Sequence, residues 1–497
     1  MLVPTDGGAD DSQALGVCAV LDLSSVGPAA RASRWLADYG AEVVKVGPVP
    51  RHGGVQIVPP AYAYSGHRGM KRALFDLKAD HGRDAFLRLA TGADVVIESF
   101  RPGTVDRLGI GDADVRAVNP AIVYCSTSGY GQHGPAAGRA GHDLDYLAAG
   151  GYLDCTGRDG AGRPPIPGAT IADSAGGGMH AVMSILAALR RDRWPATSGG
   201  EAYLDVSAAD GVLSFMSLYV DEYLATGEVP GPGHNVLTGR YACYDLYRTA
   251  DDRWLAVAAI EPHFWANLCR ALGVERWIEH QTDDDVQDEV RADVARALAS
   301  KDRDTWVAEL ADTDTCVAPV LSVPELVDDE QYVARGAFVE AKHPTEGTFR
   351  QVAPMLAGQV RPTGTVEIPD ATATDTAELS GGRGLRAGRG RPPGGERGGR
   401  VSGSDVDADA LPDDVVALID VVQYEEEGEF PVERGYVWTS ASSVENGNPL
   451  FWDDEVADEL TDGPIAMPTM LSVWFRPHHW EPGASGSRPS RSRCTST

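Results

Sequence analysis

The chain begins its ordered-looking part with two contrasting patterns. "VCAVLDL", from position 17, is a continuous apolar run of strand length, and "SSVGP" breaks it with a Gly-Pro pair. The next stretch sets Ala32, Trp35, Leu36 and Tyr39 at helical spacing, and "AEVVKV" from position 41 is a second apolar run. Strand, helix and strand in that order predict a βαβ unit. The alternation continues with a helix over "GRDAFLRLATG", a strand over "ADVVIESF", a helix over "DADVRAVNP" and a strand over "AIVYCSTSGYG". This pattern predicts an α/β fold with a doubly wound parallel sheet. No Gly-x-Gly-x-x-Gly follows the first strand, so the dinucleotide-binding fingerprint is absent.

Further along, "GATIADSAGGGMHAVMSILAALR" (168–190) predicts a polar turn feeding a long helix. Met179, Val182, Met183, Ile185 and Leu186 would face inward, with Asp173 at or just before the first turn. A second helix is expected near 207–226. "YACYDLYRT" and "RWLAVAAI", joined by "ADD", predict a β-hairpin within 241–260, with helices following to 312. These readings divide the chain into a large domain (1–230), a smaller α+β domain (235–325) and a segment returning to the large domain (326–362). A Gly/Arg-rich linker (363–404) comes next; its stretch "SGGRGLRAGRGRPPGGERGGR" has no apolar pattern with which to build a core. An acidic, aromatic-rich α+β domain (405–482) and a disordered tail (483–497) complete the expectation.

Composition narrows the function. Hydrophobic residues at 43% and charged residues at 23% are ordinary for a globular protein. The 73 acidic against 43 basic residues, a formal charge of −30, repel phosphate backbones and anionic membrane surfaces. No nucleic-acid or membrane partner is expected. The N-terminal "MLVPTDGGADDSQ" has neither the basic start nor the apolar run of a signal peptide, so the expected location is cytoplasmic. The 7 cysteines are scattered without a Cys-x-x-Cys pair, which signals neither a disulfide framework nor a metal site.

Candidate chemistry concentrates in a few places. "AGHDLDYLAAGGYLDC" (140–155) puts His142, Asp143 and Asp145 among small and apolar residues, where a histidine is either packed and hydrogen-bonded or chemically used. Gly129, Gly131 and Gly134 precede it and permit unusual backbone angles at the C-terminal edge of the sheet, where ligands of open α/β folds bind. Asp173 suits an N-cap as well as it suits a base or nucleophile. Gly176 and Gly177 beside it would admit a ligand to a helical turn whose amides can stabilise an oxyanion. Glu261 follows the apolar "AVAAI" and either caps the helix starting at Pro262 or needs a partner. Arg68, Lys71 and Arg101 are the cations nearest the strand ends of the large domain.

Several ordered motifs together carry a resemblance: "VLDLSSVGPAARASRWLADYGAEVVKV", "HRGMKRALFDLK", "DVVIESFRPGTVDRLGIG", "SGYGQHGPAAGRAGHDLDYLA" and "IADSAGGGMHAVMSILAAL". From about residue 15 to 362 the chain resembles the class III CoA-transferase (CaiB/BaiF) family, which includes α-methylacyl-CoA racemases. The resemblance implies a CoA-binding Rossmann-like large domain with a small inserted domain. It further implies two chains interlocked as a homodimer, an acyl-CoA substrate, and no cofactor beyond the CoA moiety. In transferase members the residue matching Asp173 carries the acyl group; racemase members match His142, Asp173 and Glu261. With all three present, the implied activity is epimerisation of a 2-methylacyl-CoA by two-base proton transfer through an enolate. The alternative is CoA transfer through an aspartyl-acyl anhydride. Arg68, Lys71 and Arg101 would then hold the CoA phosphates, Glu261 would orient and charge-match His142, and helix-end amides near 174–178, including Gly176 and Gly177, would hold the enolate oxygen. The C-terminal "SSVENGNPLFWDDEVADEL" resembles the N-terminal half of MaoC-like hot-dog hydratases. Asn446 and Phe451 replace the Asp and His of that family's motif, implying a noncatalytic domain able to bind an acyl chain or a hot-dog hydratase partner.

Overall fold

The computed structural model describes residues 14–16, 18–48, 61–190, 202–355, 357–358, 361–370 and 374–380. All of them lie in the first of two compact units, 1–393 and 394–497. The expected hot-dog-like domain, the tail and most of the linker fall outside the described residues.

The first apolar run forms β1 (Ala19–Asp22), buried at every position. α1 (Gly27–Asp38) follows with Pro28 in its first turn, where the missing N–H costs nothing. Next come β2 (Glu42–Gly47), β3 (Lys71–Leu74), α2 (Asp80–Ala90), β4 (Val95–Glu98), α3 (Thr104–Leu108), α4 (Asp112–Val118) and β5 (Val123–Ser128). Beyond them run α5 (Asp143–Ala149), α6 (Tyr152–Cys155), a π-helical segment (Ala172–Met179), α7 (His180–Leu189), β6 (Ala202–Ser207), α8 (Ala208–Phe215) and α9 (Ser217–Thr226).

The six strands make one parallel sheet in the order β3-β2-β1-β4-β5-β6. This is the doubly wound Rossmann-like order, which reverses direction between β1 and β4. Both faces are covered, as an all-parallel sheet requires. Leu21, Val44, Phe86, Val96 and Tyr124 belong to one core, and Val20, Val43, Ile97, Cys125 and Ile185 to the other. Neighbouring residues such as Val20 and Leu21 thus serve opposite layers, a consequence of side chains alternating along a strand.

Elements in four places differ from the sequence reading. β3 and β6 are not among the expected strands; "KRAL" is short and basic, and β6 lies in a stretch between two expected helices to which no element was assigned. The helix expected near 207–226 is two, α8 and α9, divided at Met216. Met179 and Met183, expected inside, are 49% and 62% exposed, whereas Ala181, Val182 and Ile185 are buried. The wider π-helical segment rotates the face of α7 relative to a continuous α-helix.

The β-hairpin within 241–260 is present as β7 (Tyr244–Arg248) and β8 (Trp254–Ala258), paired antiparallel from Tyr244 with Ala258 to Arg248 with Trp254. β9 (Val317–Pro319) extends that sheet, and α10 (Pro262–Leu272), α11 (Gln287–Leu298) and α12 (Arg303–Leu310) cover it. Their shared core includes Leu255, Trp265, Leu268, Val294 and Trp306. β10 (Phe338–His343) and β11 (Gly347–Val352) form a second hairpin, with β12 (Val366–Glu367) parallel to β10. This hairpin returns to the large sheet: Arg68 donates to the Val352 carbonyl at 2.7 Å. Asp375 accepts from the Arg72 amide at 2.8 Å. Among the described residues no helix is long and apolar enough to cross a membrane.

Candidate active site

Segments remote in sequence meet where α5 and the π-helical segment begin. His142 is the N-cap of α5, with extended backbone (φ −129, ψ 178), and its amide donates to the Asp145 carboxylate at 2.9 Å. Its side chain is exposed, so it is not a packed core histidine. The next residue, Asp143, accepts a hydrogen bond from the Asp173 amide at 2.8 Å. That bond ties α5 to the turn bearing Asp173 and brings both candidate proton carriers into one neighbourhood. Asp173 is half-buried. Burial first, then the Asp143 carboxylate, push its carboxyl above the usual range, while Arg31 and His142 pull it back. A carboxyl raised in this way is better matched to proton transfer near neutral pH than an exposed one.

Two glycines make this arrangement possible. A Cβ at Gly129 would lie 2.3 Å from the Tyr146 ring, and one at Gly141 would lie 2.7 Å from it. Tyr146 therefore fits beneath the loop leading into His142, donating its hydroxyl to the Gly141 carbonyl at 2.5 Å. It meets Tyr130 edge-on at 5.3 Å. Burial, with Asp173 next in effect, pushes the Tyr146 phenol up to about 12. Gly131 and Gly134 do adopt the left-handed backbone expected of that loop, with φ of 81° and 88°.

Gly176 and Gly177 have a different task from the expected one. A Cβ at Gly176 would lie 2.8 Å from the Ala208 carbonyl, and one at Gly177 would lie 2.6 Å from Pro28. On the facing helix, a Cβ at Gly211 would lie 2.0 Å from the Gly176 carbonyl. These residues let the backbones of α1, the π-helical segment and α8 close on one another, and both are buried. The expectation that they open the turn to a ligand is corrected by those contacts. The Asp173 amide is likewise occupied, by Asp143.

The three expected phosphate-binding cations separate. Arg68 is 5% exposed and is committed to Asp38 at 3.2 Å as well as to Val352. Lys71 pairs with Glu42 at 3.0 Å and Glu378 at 3.7 Å. These interactions consume the charge expected for CoA. Arg101, just beyond β4, is exposed and makes no ion pair with another described residue. Glu261 is the exposed N-cap of α10 and makes no hydrogen bond or ion pair with His142 within one chain. It lies beside Cys316, whose thiol is pushed up by burial first and by Glu261 next. No cluster of His, Cys, Asp or Glu suited to a metal ion occurs among the described residues.

Arg31 near Asp173, with Thr170 and Tyr64 against it, does not stand out in the sequence. Asp143 was noticed only as a companion of His142. Arg31 donates from Nη2 to the Thr170 hydroxyl at 2.6 Å, and its guanidinium lies 5.5 Å from the centre of the Tyr64 ring. Tyr64 in turn accepts from the Gly27 amide at 3.0 Å. Tyr64, Ser65, Gly66 and His67 have φ of 49°, 54°, 61° and 56° in succession. Such a left-handed turn costs roughly 1–2 kcal/mol for each residue with a side chain. Strain of this size persists where the surroundings hold a site in place. The only sequence hint was the basic residue that follows the Gly-Pro start of α1.

The comparisons agree with this architecture. A model of CoA-transferase family III matches residues 16–369. Human alpha-methylacyl-CoA racemase is 34% identical over 332 residues, spanning 66% of this chain and 83% of that protein. Succinyl-CoA–D-citramalate CoA-transferase of Chloroflexus aurantiacus is 28% identical over 355 residues, spanning 68% and 86%. The crystal structure of Rv3272 from M. tuberculosis superposes with a TM-score of 0.61 at 26% identity, over 74% of this chain and 98% of that one. With racemases and transferases both among its relatives, the chain belongs to CoA-transferase family III and is an enzyme of the racemase or the CoA-transferase kind.

Proposed function

We propose that the chain epimerises the α-carbon of a 2-methylacyl-CoA, with His142 and Asp173 as the two bases. The observation that carries this reading is the Asp143 bridge, which draws an imidazole and a partly buried carboxyl to one place from separate elements. Inversion through a planar enolate needs a proton carrier on each face. One residue removes the α-proton as the other, in its protonated form, delivers a proton to the opposite face. Each such group contributes about 10²- to 10⁴-fold. Protonated His142 also sets a positive charge beside the developing enolate. Arg101 is the cation left for a CoA phosphate. The reaction needs no cofactor beyond CoA itself.

The reading includes an interlocked homodimer in the cytoplasm. Glu261 is exposed and unpaired with His142 inside one chain, so a second copy would have to bring it there. Leu213, Phe215, Leu218 and Leu224 on α8 and α9 are exposed at 46% or more, an apolar surface suited to such a contact. Residues 405–482 enter on sequence resemblance alone, as a noncatalytic hot-dog-like domain able to engage an acyl chain or a hydratase.

We hold CoA transfer as a second reading, which the transferases among the relatives support. Arg31 stabilises the ionised form of Asp173, which a nucleophile needs just as a base does. Asp173 would attack the thioester carbonyl and expel CoA as its thiolate, forming an acyl anhydride; the thiolate would then attack the aspartyl carbonyl and release the first acid, and the second acid would displace CoA from Asp173 and take it up through a second anhydride. Incubation with a chiral 2-methylacyl-CoA in deuterium oxide, without an acceptor acid, separates the two. Epimerisation with deuterium at the α-carbon is expected. An unlabelled thioester that exchanges its CoA with added free acid would overturn the racemase reading.

A further inference from the structure

We propose that Gln132 binds the pantetheine arm of CoA, its carboxamide donating to an amide carbonyl of that arm. The inference rests on the reading of Arg101 as the phosphate-binding cation and of His142 and Asp173 as the reacting pair, and it adds a residue between them.

The path of the arm follows from the strand order. Arg101 stands just beyond β4, and His142 opens the helix that the loop after β5 leads into. β5 lies beside β4 in the sheet. An arm joining a phosphate at Arg101 to a thioester at His142 therefore crosses the C-terminal end of β5. Ligands of open α/β sheets lie along that edge. Phosphates call for cations, but the arm is neutral and carries a pair of amides, so it calls for neutral donors and acceptors.

The end of β5 offers them. Gln132 is half-buried, and its Nε2 is buried with no hydrogen-bond partner among the described residues. The hydroxyl of Ser128, the last residue of β5, is buried and unanswered as well. The two residues before it are matched: Tyr203 donates to the Ser126 hydroxyl at 3.2 Å, and the Thr127 hydroxyl donates to the Glu98 carbonyl at 3.2 Å. A buried donor without an acceptor is costly, and most buried polar groups in folded proteins have a partner. An acceptor arriving with the substrate would remove that cost at Gln132, whose amide nitrogen can only donate.

The loop holds Gln132 in place by its backbone and leaves its carboxamide free. The Gln132 backbone amide donates to both oxygens of the Asp205 carboxylate, at 3.0 and 2.9 Å, which ties the loop to β6. Gly131, with φ of 81°, makes the turn that brings this amide there. On the other side Tyr130 packs against the approach to His142: a Cβ at Gly141 would lie 3.1 Å from its hydroxyl.

The test uses the full chain and calorimetric Kd values for CoA and for adenosine bisphosphate, the nucleotide end of CoA without the arm. The unaltered chain is expected to bind CoA at least tenfold more tightly. Gln132→Met, which keeps the length and removes the donor, should weaken CoA about tenfold and leave the nucleotide unaffected. Its chemical denaturation midpoint should not fall, because no partner is lost within the chain. Gln132→Glu, which puts an acceptor where the donor stood, should weaken CoA at least as much. Equal Kd values for CoA and the nucleotide in the unaltered chain, an unchanged CoA Kd in Gln132→Met, an equal loss on both ligands or a lowered midpoint would overturn the proposal. Arg101→Ala should weaken both ligands; if it weakens neither, the phosphate assignment fails, and the Kd ratio in Gln132→Met still decides the role of Gln132. Absence of α-proton exchange with a 2-methylacyl-CoA would defeat the racemase reading alone, because CoA transfer also takes a substrate bearing this arm.

Discussion

At the residue scale the account turns on how Asp173 is tuned. Burial and Asp143 raise its carboxyl, and Arg31 and His142 lower it. If Asp173 acts as a base it must be ionised, so activity rises with pH through its pKa. Asp143→Asn keeps an oxygen for the Asp173 amide but deletes a negative charge that raises the carboxyl. The acid limb of the pH profile for α-proton exchange should therefore move to lower pH; an unmoved limb would show that Asp143 does not act on Asp173. The sequence made His142 and Asp173 visible because ionisable groups stood out among small and apolar neighbours. It hid Arg31, Tyr64 and Thr170, since their meeting depends on a left-handed turn and on contacts spanning 139 positions.

At the element scale, the turn bearing Asp173 is held by glycine rather than opened by it. The most demanding contact is Gly211, where a Cβ would stand 2.0 Å from a backbone oxygen that cannot rotate away. Gly211→Ala should destabilise the chain by about 3 kcal/mol, the upper part of the usual range for overpacking, as measured by chemical denaturation. A change below about 0.5 kcal/mol, the size of an ordinary surface substitution, would contradict the packing described here. "SAGGGM" looks like a ligand-binding turn and a helix-packing seam equally well in one dimension. Only the facing Ala208, Gly211 and Pro28 decide between them. Buried strands such as β1 and β5 were legible from continuous apolar runs. β3 and β6 were not, because their residues gain strand character from pairing with neighbours in the sheet.

At the scale of the whole molecule, the strand order β3-β2-β1-β4-β5-β6 could be anticipated as a class from the alternation of helix and strand. The order itself depends on crossovers that no local pattern encodes. The homodimer belongs to this scale too. Native mass spectrometry should find twice the 52.7 kDa chain mass at micromolar concentration, and a monomer that is fully active would remove the need for Glu261 from a second copy. The two-base assignment is tested most directly by following each epimer of one 2-methylacyl-CoA separately by NMR in deuterium oxide, with His142→Gln and Asp173→Asn. Both variants should lose epimerisation by about 10²- to 10⁴-fold. Each should keep α-deuterium exchange on one epimer only, and on opposite epimers. Loss or retention of exchange on the same epimer in both variants would contradict a site in which these two residues serve opposite faces of one carbon.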